Sequence, residues 1–294
     1  MMDHDHGPEQ HDFTRAFAVG VTLNFVYVLA QVGFGLVAHS LALIADAGHN
    51  LGDVLGLVLA WGASYLSKRP ATGTRTYGWR RTSIMAALFN AIFLMVAVGG
   101  ITWEAVRRLN RSAPTDAGII IWVAAGGVVI NGITALLFMS GHKRDLNIRG
   151  AFLHMAADAT MSAGVVLAGL AILWTGHYWI DPAMSILINI VIVAGTWSLL
   201  RDSFDLATDA VPRSVNLPDV KQYLIGLPDV SAVHDLHIWA MSTTEIALTA
   251  HLVMPSGAGG DAFLHDVCEH LHHNFGIEHA TIQIEQNAAS CALA

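Results

Sequence analysis

Charged residues and cysteines are both scarce in this chain of 294 residues, and each scarcity excludes a class of protein. Only 13% of the residues are charged and 54% are hydrophobic, which is too apolar for an ordinary soluble protein of this size. The two cysteines, Cys268 and Cys291, do not have the spacing of a CxxC metal site. We expect both to be free thiols in a reducing compartment. The composition therefore predicts an integral membrane protein.

The chain also lacks an excess of positive charge, and its first residues do not have the pattern expected of a secretory leader. Its formal net charge is −8, and it has no basic patch with interleaved aromatic residues, which argues against nucleic acid as a partner. Residues 1–12, MMDHDHGPEQHD, are acidic and His-rich, so they do not form a cleaved signal peptide. We expect a disordered tail. Its His4, His6 and His11 are either solvated or collect metal ions loosely.

Six apolar runs follow the tail, each long enough to cross a hydrocarbon core of roughly 30 Å. The predicted spans are residues 13–37, 41–67, 82–106, 118–141, 152–173 and 179–200. With both termini in the cytoplasm, the short inner loops hold Lys68, Arg69, Arg75, Arg80, Arg81, Lys143, Arg144 and Arg149. The outer loops then hold Arg107, Arg108 and Arg111. This balance favours cytoplasmic termini and predicts that residues 13–206 form a transmembrane domain surrounded by membrane lipid.

The sequence changes character after about Leu206, where no further run is long or apolar enough to span a membrane. Residues 207–294 are therefore predicted to be a separate domain. Alternation and capping patterns predict a helix, two strands, a helix and a last strand, at residues 217–227, 230–241, 245–254, 261–275 and 280–285. The order αββαβ is typical of a small α+β, ferredoxin-like domain with helices on one face of its sheet. From Asp202 onward the chain has twelve Asp and Glu but two basic residues, so this domain is strongly acidic.

Two of the apolar spans are interrupted by ionisable residues at the same spacing. His49 and Asp53 lie in the second span, and His154 and Asp158 lie in the fifth. Residues four apart project from one helix face. A single pair of this kind is about as often a hydrogen-bonded contact between helices as a binding site. Two packed aspartates, however, repel each other at low dielectric, and neither span contains Lys or Arg. A divalent cation or protons would neutralise them.

Two imidazoles and two carboxylates suit tetrahedral Zn²⁺, whereas Ca²⁺ or Mg²⁺ would need more oxygen ligands. An intramembrane zinc hydrolase would need an open coordination position and a base, and the chain has no HExxH motif. Transport is therefore the predicted function. A membrane metal sensor, signalling through the acidic domain, is the alternative from another class. Asp46, one turn before His49, either bonds neighbouring helices or lies on the access path, and it is not among the four predicted ligands.

Four stretches, LALIADAGHNLGD, LHMAADA, DAVP and HDLHIW, resemble the cation diffusion facilitator family. The similarity is to its zinc-transporting members, which have HxxxD on spans two and five, and it runs from about residue 13 to residue 286. The resemblance implies a homodimeric transporter that exports Zn²⁺ in exchange for H⁺, with Cd²⁺ and other divalent cations as further candidate substrates. It implies no enzymatic activity and no cofactor, with Zn²⁺ as substrate and regulatory ion. It also implies a bacterial-type inner or cell membrane and a cytoplasmic domain for metal binding, regulation and dimerisation.

The resemblance extends to metal ligands in the cytoplasmic domain. His234, His251 and Glu285 fall on ligand positions of the family. This sequence departs from the fullest form of that site, because Gln283 stands where a His can occur and Glu285 where an Asp can. The resemblance therefore does not by itself imply a two-metal cluster in this chain.

Further ligands and a dimer contact follow from the same resemblance. His237 or His265 is expected to complete the cytoplasmic site, the alternative being that histidines on the helix 261–275 are surface residues. Arg81 and Asp209 match an ion pair that in relatives locks the two halves of the dimer, the alternative being two unrelated surface charges. The loop PATGTRTYGW between spans two and three has no Asp, Glu, His or Cys, so the extra site of some relatives has no counterpart.

Overall fold

The computed structural model describes residues 9–67, 69–111, 113–139, 146–257 and 259–287, without the side chains of residues 9–21, 60, 64, 67, 137–139 and 146–151. The helices of the N-terminal part are α1 (Glu9–Val37), α2 (Leu41–Ser67), α3 (Thr82–Leu109), α4 (Ala117–Met139), α5 (Leu146–Thr175) and α6 (Ile180–Ala207). The C-terminal part contains α7 (Leu217–Ile225), β1 (Ala232–Ala240), β2 (Ile246–Val253), α8 (Asp261–Phe275) and β3 (His279–Glu285). The predicted fold class, a helical membrane domain with an αββαβ domain, is confirmed.

Several membrane helices extend beyond the predicted spans. Among the described residues, α2 to α6 are long and apolar enough to cross a membrane, and α1 contributes the shorter apolar segment Thr22–Val37. Helix α1 begins at Glu9, so the last four residues of the predicted tail are helical. Helix α6 continues to Ala207, beyond the predicted end at Leu200. Apolar runs predict only the part of a helix inside the hydrocarbon, whereas the helical hydrogen bonds continue into polar sequence. His4 and His6 lie outside the described residues.

The chain divides into two compact units, residues 1–57 with 90–197 and residues 58–89 with 198–294. In the first unit, small residues form much of the core between helices. Ala42 and Ala45 of α2 and Ala124 of α4 are buried together with Val165 of α5 and Ile188 of α6. Small side chains allow helix backbones to approach closely, which is how helices associate in lipid.

The start of α2 is held by a carboxylate from α6. Asp181 is 1% exposed and accepts hydrogen bonds from the hydroxyl of Ser40, from the backbone N–H of Leu41 at 2.7 Å and from that of Ala42 at 3.4 Å. The first N–H groups of a helix have no partner within the helix. Asp181 satisfies two of them, and its negative charge is favourable at the positive end of the helix dipole.

The second unit contains a three-stranded sheet in the order β1–β2–β3, with β1 and β2 antiparallel and β2 and β3 parallel. Leu248, Ala250 and Leu252 of β2 pack in one core with Leu224 of α7 and Leu271 of α8. Because side chains alternate along a strand, Thr249 and His251 lie on the other face of the sheet. We call this the open face. It is the face on which the polar residues of the sheet collect.

Candidate metal centres

The two HxxxD pairs meet between α2 and α5 in the first unit. His49 Nε2 lies 3.1 Å from Asp158 Oδ1 and 3.7 Å from Asp53 Oδ2. His154 Nε2 lies 3.3 Å from Asp53 Oδ2 and 3.6 Å from Asp158 Oδ2. The two imidazole rings are 6.2 Å apart in an edge-on arrangement. Each histidine therefore lies within ion-pair distance of both aspartates, and the structure brings all four predicted residues together.

The four side chains form a cluster that is closed on one side. Asp158 has 4% of its side-chain surface exposed and His49 has 19%, whereas Asp53 has 30% and His154 has 43%. Asp53 Oδ2 is buried without a hydrogen-bond partner, although two histidine nitrogens lie near it. His49 Nε2 does hydrogen-bond Asp158 Oδ1 at 3.1 Å, so within this cluster it is the Asp53 oxygen that is left to accept a cation. Imidazole nitrogen and carboxylate oxygen together favour Zn²⁺ among the common divalent ions.

A second cluster lies on the open face of the sheet, and strand register explains its position. His234 of β1 pairs with His251 of β2, which in turn pairs with Gln283 of β3. Three neighbouring strands thus place three side chains in one row. Glu285 lies two residues beyond Gln283 and therefore on the same face, with its side chain 4% exposed.

The distances in this second cluster also fit a cation. His234 Nε2 lies 3.1 Å from Glu285 Oε2, and His251 Nδ1 lies 2.9 Å from Glu285 Oε1. The His251 nitrogen makes no hydrogen bond in spite of that distance. Gln283 donates its amide to Glu285 Oε1 at 2.9 Å. Two imidazoles and one buried carboxylate are a ligand set that could hold Zn²⁺, and the hydrogen bond from Gln283 orients the carboxylate.

Sequence reasoning missed Asp235, which a β-bulge brings to this cluster. The pairing of β1 with β2 shifts between His234 and His237, and Asp235 has a positive φ of 49°. Its Oδ2 lies 3.5 Å from His251 Nε2. The pKa of Asp235 lies below its usual range because His237 hydrogen-bonds its other oxygen at 2.9 Å. Asp tolerates positive φ better than most residues, but the sequence contains no specific signal for a bulge here.

The further predicted ligands have different surroundings. His237 Nε2 lies 2.9 Å from Asp235 Oδ1, and its side chain is 66% exposed. His265 is 72% exposed on α8 and lies 3.8 Å from Glu269 of the same helix. Among the described residues, the groups that converge closely enough to hold a metal in this unit are His234, His251 and Glu285. His265 therefore remains a surface histidine here, and the prediction that it completes the site is not supported.

Arg81 and Asp209 form an ion pair within one chain of the second unit, with both side chains about half exposed. The neighbouring Arg80 pairs with Glu245 at 3.0 Å. The predicted pairing partners therefore meet. Their contact joins the start of α3 to the segment that follows α6.

The chain combines a membrane-spanning helical domain that contains paired His and Asp residues with a small α+β domain that contains a second cluster, of His and Glu. This combination is typical of a membrane protein that binds cations. Residues 17–206 match the family model described as the cation efflux transmembrane domain, and residues 212–287 match that of the cation efflux protein cytoplasmic domain. The chain belongs to the cation efflux family. Its members are transporters, so the prediction that this protein is not an enzyme is confirmed.

Similar proteins span nearly the same length. The chain is 36% identical to the zinc transporter ZitB of Escherichia coli (strain K12), covering 95% of this chain and 90% of that protein. It is 32% identical to the cadmium, cobalt and zinc/H(+)-K(+) antiporter of Bacillus subtilis (strain 168), covering 89% and 86%. A solved structure of the metal-bound C-terminal domain of the CzcD transporter from Cupriavidus metallidurans is 35% identical over 24% of this chain and 99% of that chain. Its TM-score of 0.23 is too low to show a common arrangement.

Proposed function

We propose that this protein exports Zn²⁺ from the cytoplasm in exchange for H⁺, and that His49, Asp53, His154 and Asp158 are the transport site. The proposal rests on one observation. Each of the two histidines on α2 and α5 lies 3.1 to 3.7 Å from the two aspartates, and residues 41–67 and 152–173 contain no Lys or Arg to neutralise the carboxylates. Ionisable side chains within membrane helices are costly and usually functional.

The names of the relatives support the substrate and the coupling ion. One is called a zinc transporter, and another a cadmium, cobalt and zinc/H(+)-K(+) antiporter. Zn²⁺ is therefore the first substrate to test, with Cd²⁺ and Co²⁺ next. The protein is an integral membrane protein, and we place it in a bacterial-type inner membrane with both termini in the cytoplasm.

Charge accounts for the exchange. Two carboxylates and two neutral imidazoles bind Zn²⁺ at net zero charge, so the loaded site can face a low-dielectric barrier at small cost. The empty site would carry two negative charges within a few ångströms. Protons taken up on the acidic side neutralise it and compete with the metal, because bound metal requires deprotonated ligands. Competition at one site then couples outward Zn²⁺ movement to inward H⁺ movement.

The cytoplasmic cluster serves regulation in this proposal. His234, His251 and Glu285 would hold a regulatory Zn²⁺, with Asp235 and Gln283 orienting the ligands. Bound metal would lower the repulsion between two acidic domains in a homodimer. The ion pair of Arg81 and Asp209 would then support the dimer by holding the start of α3 to the segment that follows α6.

The Asp158→Ala variant tests the proposed transport site. The assay measures zinc uptake by everted vesicles, with and without an imposed pH gradient. The variant lacks one ligand and leaves the loaded site with net positive charge, so we expect no proton-driven uptake from a folded, inserted protein. Thr160→Ala is the matched control. Thr160 is exposed on the same helix, and its hydroxyl donates to the Ala156 carbonyl one turn back. Uptake by Asp158→Ala at the rate of Thr160→Ala would refute the site assignment. Wild-type uptake that does not respond to the pH gradient would refute the exchange of Zn²⁺ for H⁺.

A further inference from the structure

A buried polar network lies beside the proposed transport site in the first unit. Gln31 donates its amide to Asp46 Oδ2 at 2.6 Å and to Tyr27 Oη at 2.9 Å. Asn50 donates to Gln31 Oε1 at 3.0 Å, and Ser162 Oγ donates to Asp46 Oδ2 at 3.4 Å. Asp46 is 1% exposed, and Gln31 and Ser162 are 0% exposed. These bonds join α1, α2 and α5. In an apolar interior each lost partner would leave a polar group unpaired, which is unfavourable because no water replaces the partner.

The network lies about one helical turn away from the proposed transport site, on both α2 and α5. Asp46 precedes His49 by three residues on α2, and Ser162 follows Asp158 by four residues on α5. Residues at these spacings share a helix face. The contact between Asp46 and Ser162 therefore runs beside the contact between His49 and Asp158, and it links the same two helices without requiring a bound cation.

We infer that Asp46 is a positioning residue for transport, which sets the separation of the two half-sites by accepting hydrogen bonds from Gln31 of α1 and Ser162 of α5. The inference rests on the proposed transport site. Both donors reach the same carboxylate oxygen, so one acceptor atom fixes α1 and α5 relative to α2. Asn50, the residue after His49, adds a second bond between α2 and Gln31.

Helix α4 closes the network from another side. Tyr27 donates its hydroxyl to the Val123 carbonyl at 3.1 Å. At Gly127 a Cβ atom would lie 2.1 Å from Tyr27 Oη and 2.7 Å from Ser162 Oγ, which no side chain can tolerate without movement of its neighbours. The glycine thus lets the α4 backbone pack directly against the network. A network packed in this way has little freedom to shift. It can therefore hold the helices that carry the metal ligands at a fixed separation.

Disrupting the buried polar network should change the affinity for the metal more than the turnover rate. Groups that orient metal ligands typically account for roughly 10- to 100-fold in metal affinity. We therefore expect Asp46→Ala to raise the KM for Zn²⁺ by about that factor, with little change in kcat, because it loosens the ligands in every state that holds the ion. A role in helix packing alone would lower the amount of folded protein and hence the maximal rate, but not KM.

The test measures initial zinc uptake against Zn²⁺ concentration in proteoliposomes with the full-length protein. Asp46→Asn keeps an acceptor oxygen for Gln31 and Ser162, so it should return KM towards the wild-type value. Ser162→Ala should raise KM less than Asp46→Ala, since it removes the longer of the two bonds, and it decides the question if Asp46→Ala does not fold. Thr160→Ala, on the same helix, should leave KM unchanged.

An unchanged KM in Ser162→Ala and in a folded Asp46→Ala would overturn the inference, and so would an Asp46→Asn variant as impaired as Asp46→Ala. Asp158→Ala in the same vesicles separates this failure from failure of the proposed site. If Asp158→Ala is inactive while the Asp46 variants have normal KM, only the positioning role is wrong. If Asp158→Ala transports normally, the transport site itself is misassigned and the positioning role falls with it.

Discussion

Replacing His49 by aspartate should change both the metal preference and the pH dependence of transport rather than simply abolish it. An imidazole presents one nitrogen at a fixed vertex and favours tetrahedral Zn²⁺, whereas a carboxylate binds through one or two oxygens and accepts larger ions with more ligands. We therefore expect the His49→Asp variant to shift from Zn²⁺ towards Cd²⁺ or Mn²⁺.

The distances around His49 set the size of the pH effect. Its Nε2 lies 3.1 Å from Asp158 and 3.7 Å from Asp53, so a carboxylate in its place would stand close to two others. Two like charges 4 Å apart repel by about 4 kcal/mol at an effective dielectric constant of 20. A tenfold change in proton affinity corresponds to only about 1.4 kcal/mol. The empty site of the variant should therefore hold one additional proton at neutral pH, and that proton must leave when metal binds.

The assay is competition uptake in vesicles, with Zn²⁺ against Cd²⁺ and Mn²⁺ over a series of pH values. The logarithm of apparent metal affinity should rise with pH more steeply in His49→Asp than in wild type, by about one additional proton per metal ion. Retained activity with an unchanged preference order and an unchanged slope would show that His49 does not ligand the metal. In that case Asp46, one turn away, would be the next ligand to test.

Three further predictions concern other parts of the chain. We expect Zn²⁺ to bring the cytoplasmic domains closer together, and replacing His234 and His251 together by Ala should abolish this response in crosslinking of the full-length protein while only weakening transport. Crosslinking of the variant that still responds to Zn²⁺ would contradict this. Asp235→Ala should weaken Zn²⁺ binding by the cytoplasmic domain roughly tenfold, as expected for a group that orients a ligand, and calorimetry that gives wild-type affinity would refute it. Gly127→Ala should destabilise the protein by about 1–3 kcal/mol in thermal unfolding, because its Cβ displaces the Tyr27 hydroxyl. Gly132→Ala is the control and should leave the stability unchanged, because no atom lies within 4 Å of its Cβ.

The helices and the element order could be predicted from the sequence because each depends on local patterns. An apolar run of about 20 residues identifies a membrane helix wherever it packs. Alternating apolar residues around Ile238 and Leu248 likewise predict strands. The ends could not be predicted as well. The start of α5 at Leu146 and the end of α6 at Ala207 lie in sequence that is too polar for hydrophobicity to mark.

The proposed transport site is accessible to the same reasoning because its spacing repeats. His49 with Asp53 and His154 with Asp158 carry one pattern on two spans, and charge neutrality requires the two halves to meet. The layer beside them has no such pattern. Gln31 and Ser162 are common polar residues, and only the packing of α1 against α2 and α5 shows that both donate to Asp46. The sequence left two roles open for Asp46, and these contacts favour the one in which it bonds neighbouring helices.

In the cytoplasmic cluster, strand register determines which side chains face the candidate metal site, and the register cannot be predicted from the sequence. A one-residue shift in strand pairing turns every following side chain to the other face, so the residues that face a metal depend on whether β1 is regular. With strict alternation from His234, Asp235 would point into the core and Ile238 would lie on the open face. The bulge instead adds a residue to β1, gives Asp235 a positive φ and leaves its carboxylate 3.5 Å from His251 on the open face. The same bulge keeps Val233 and Ile238 in the core on either side of it, so β1 contributes to both the core and the metal cluster.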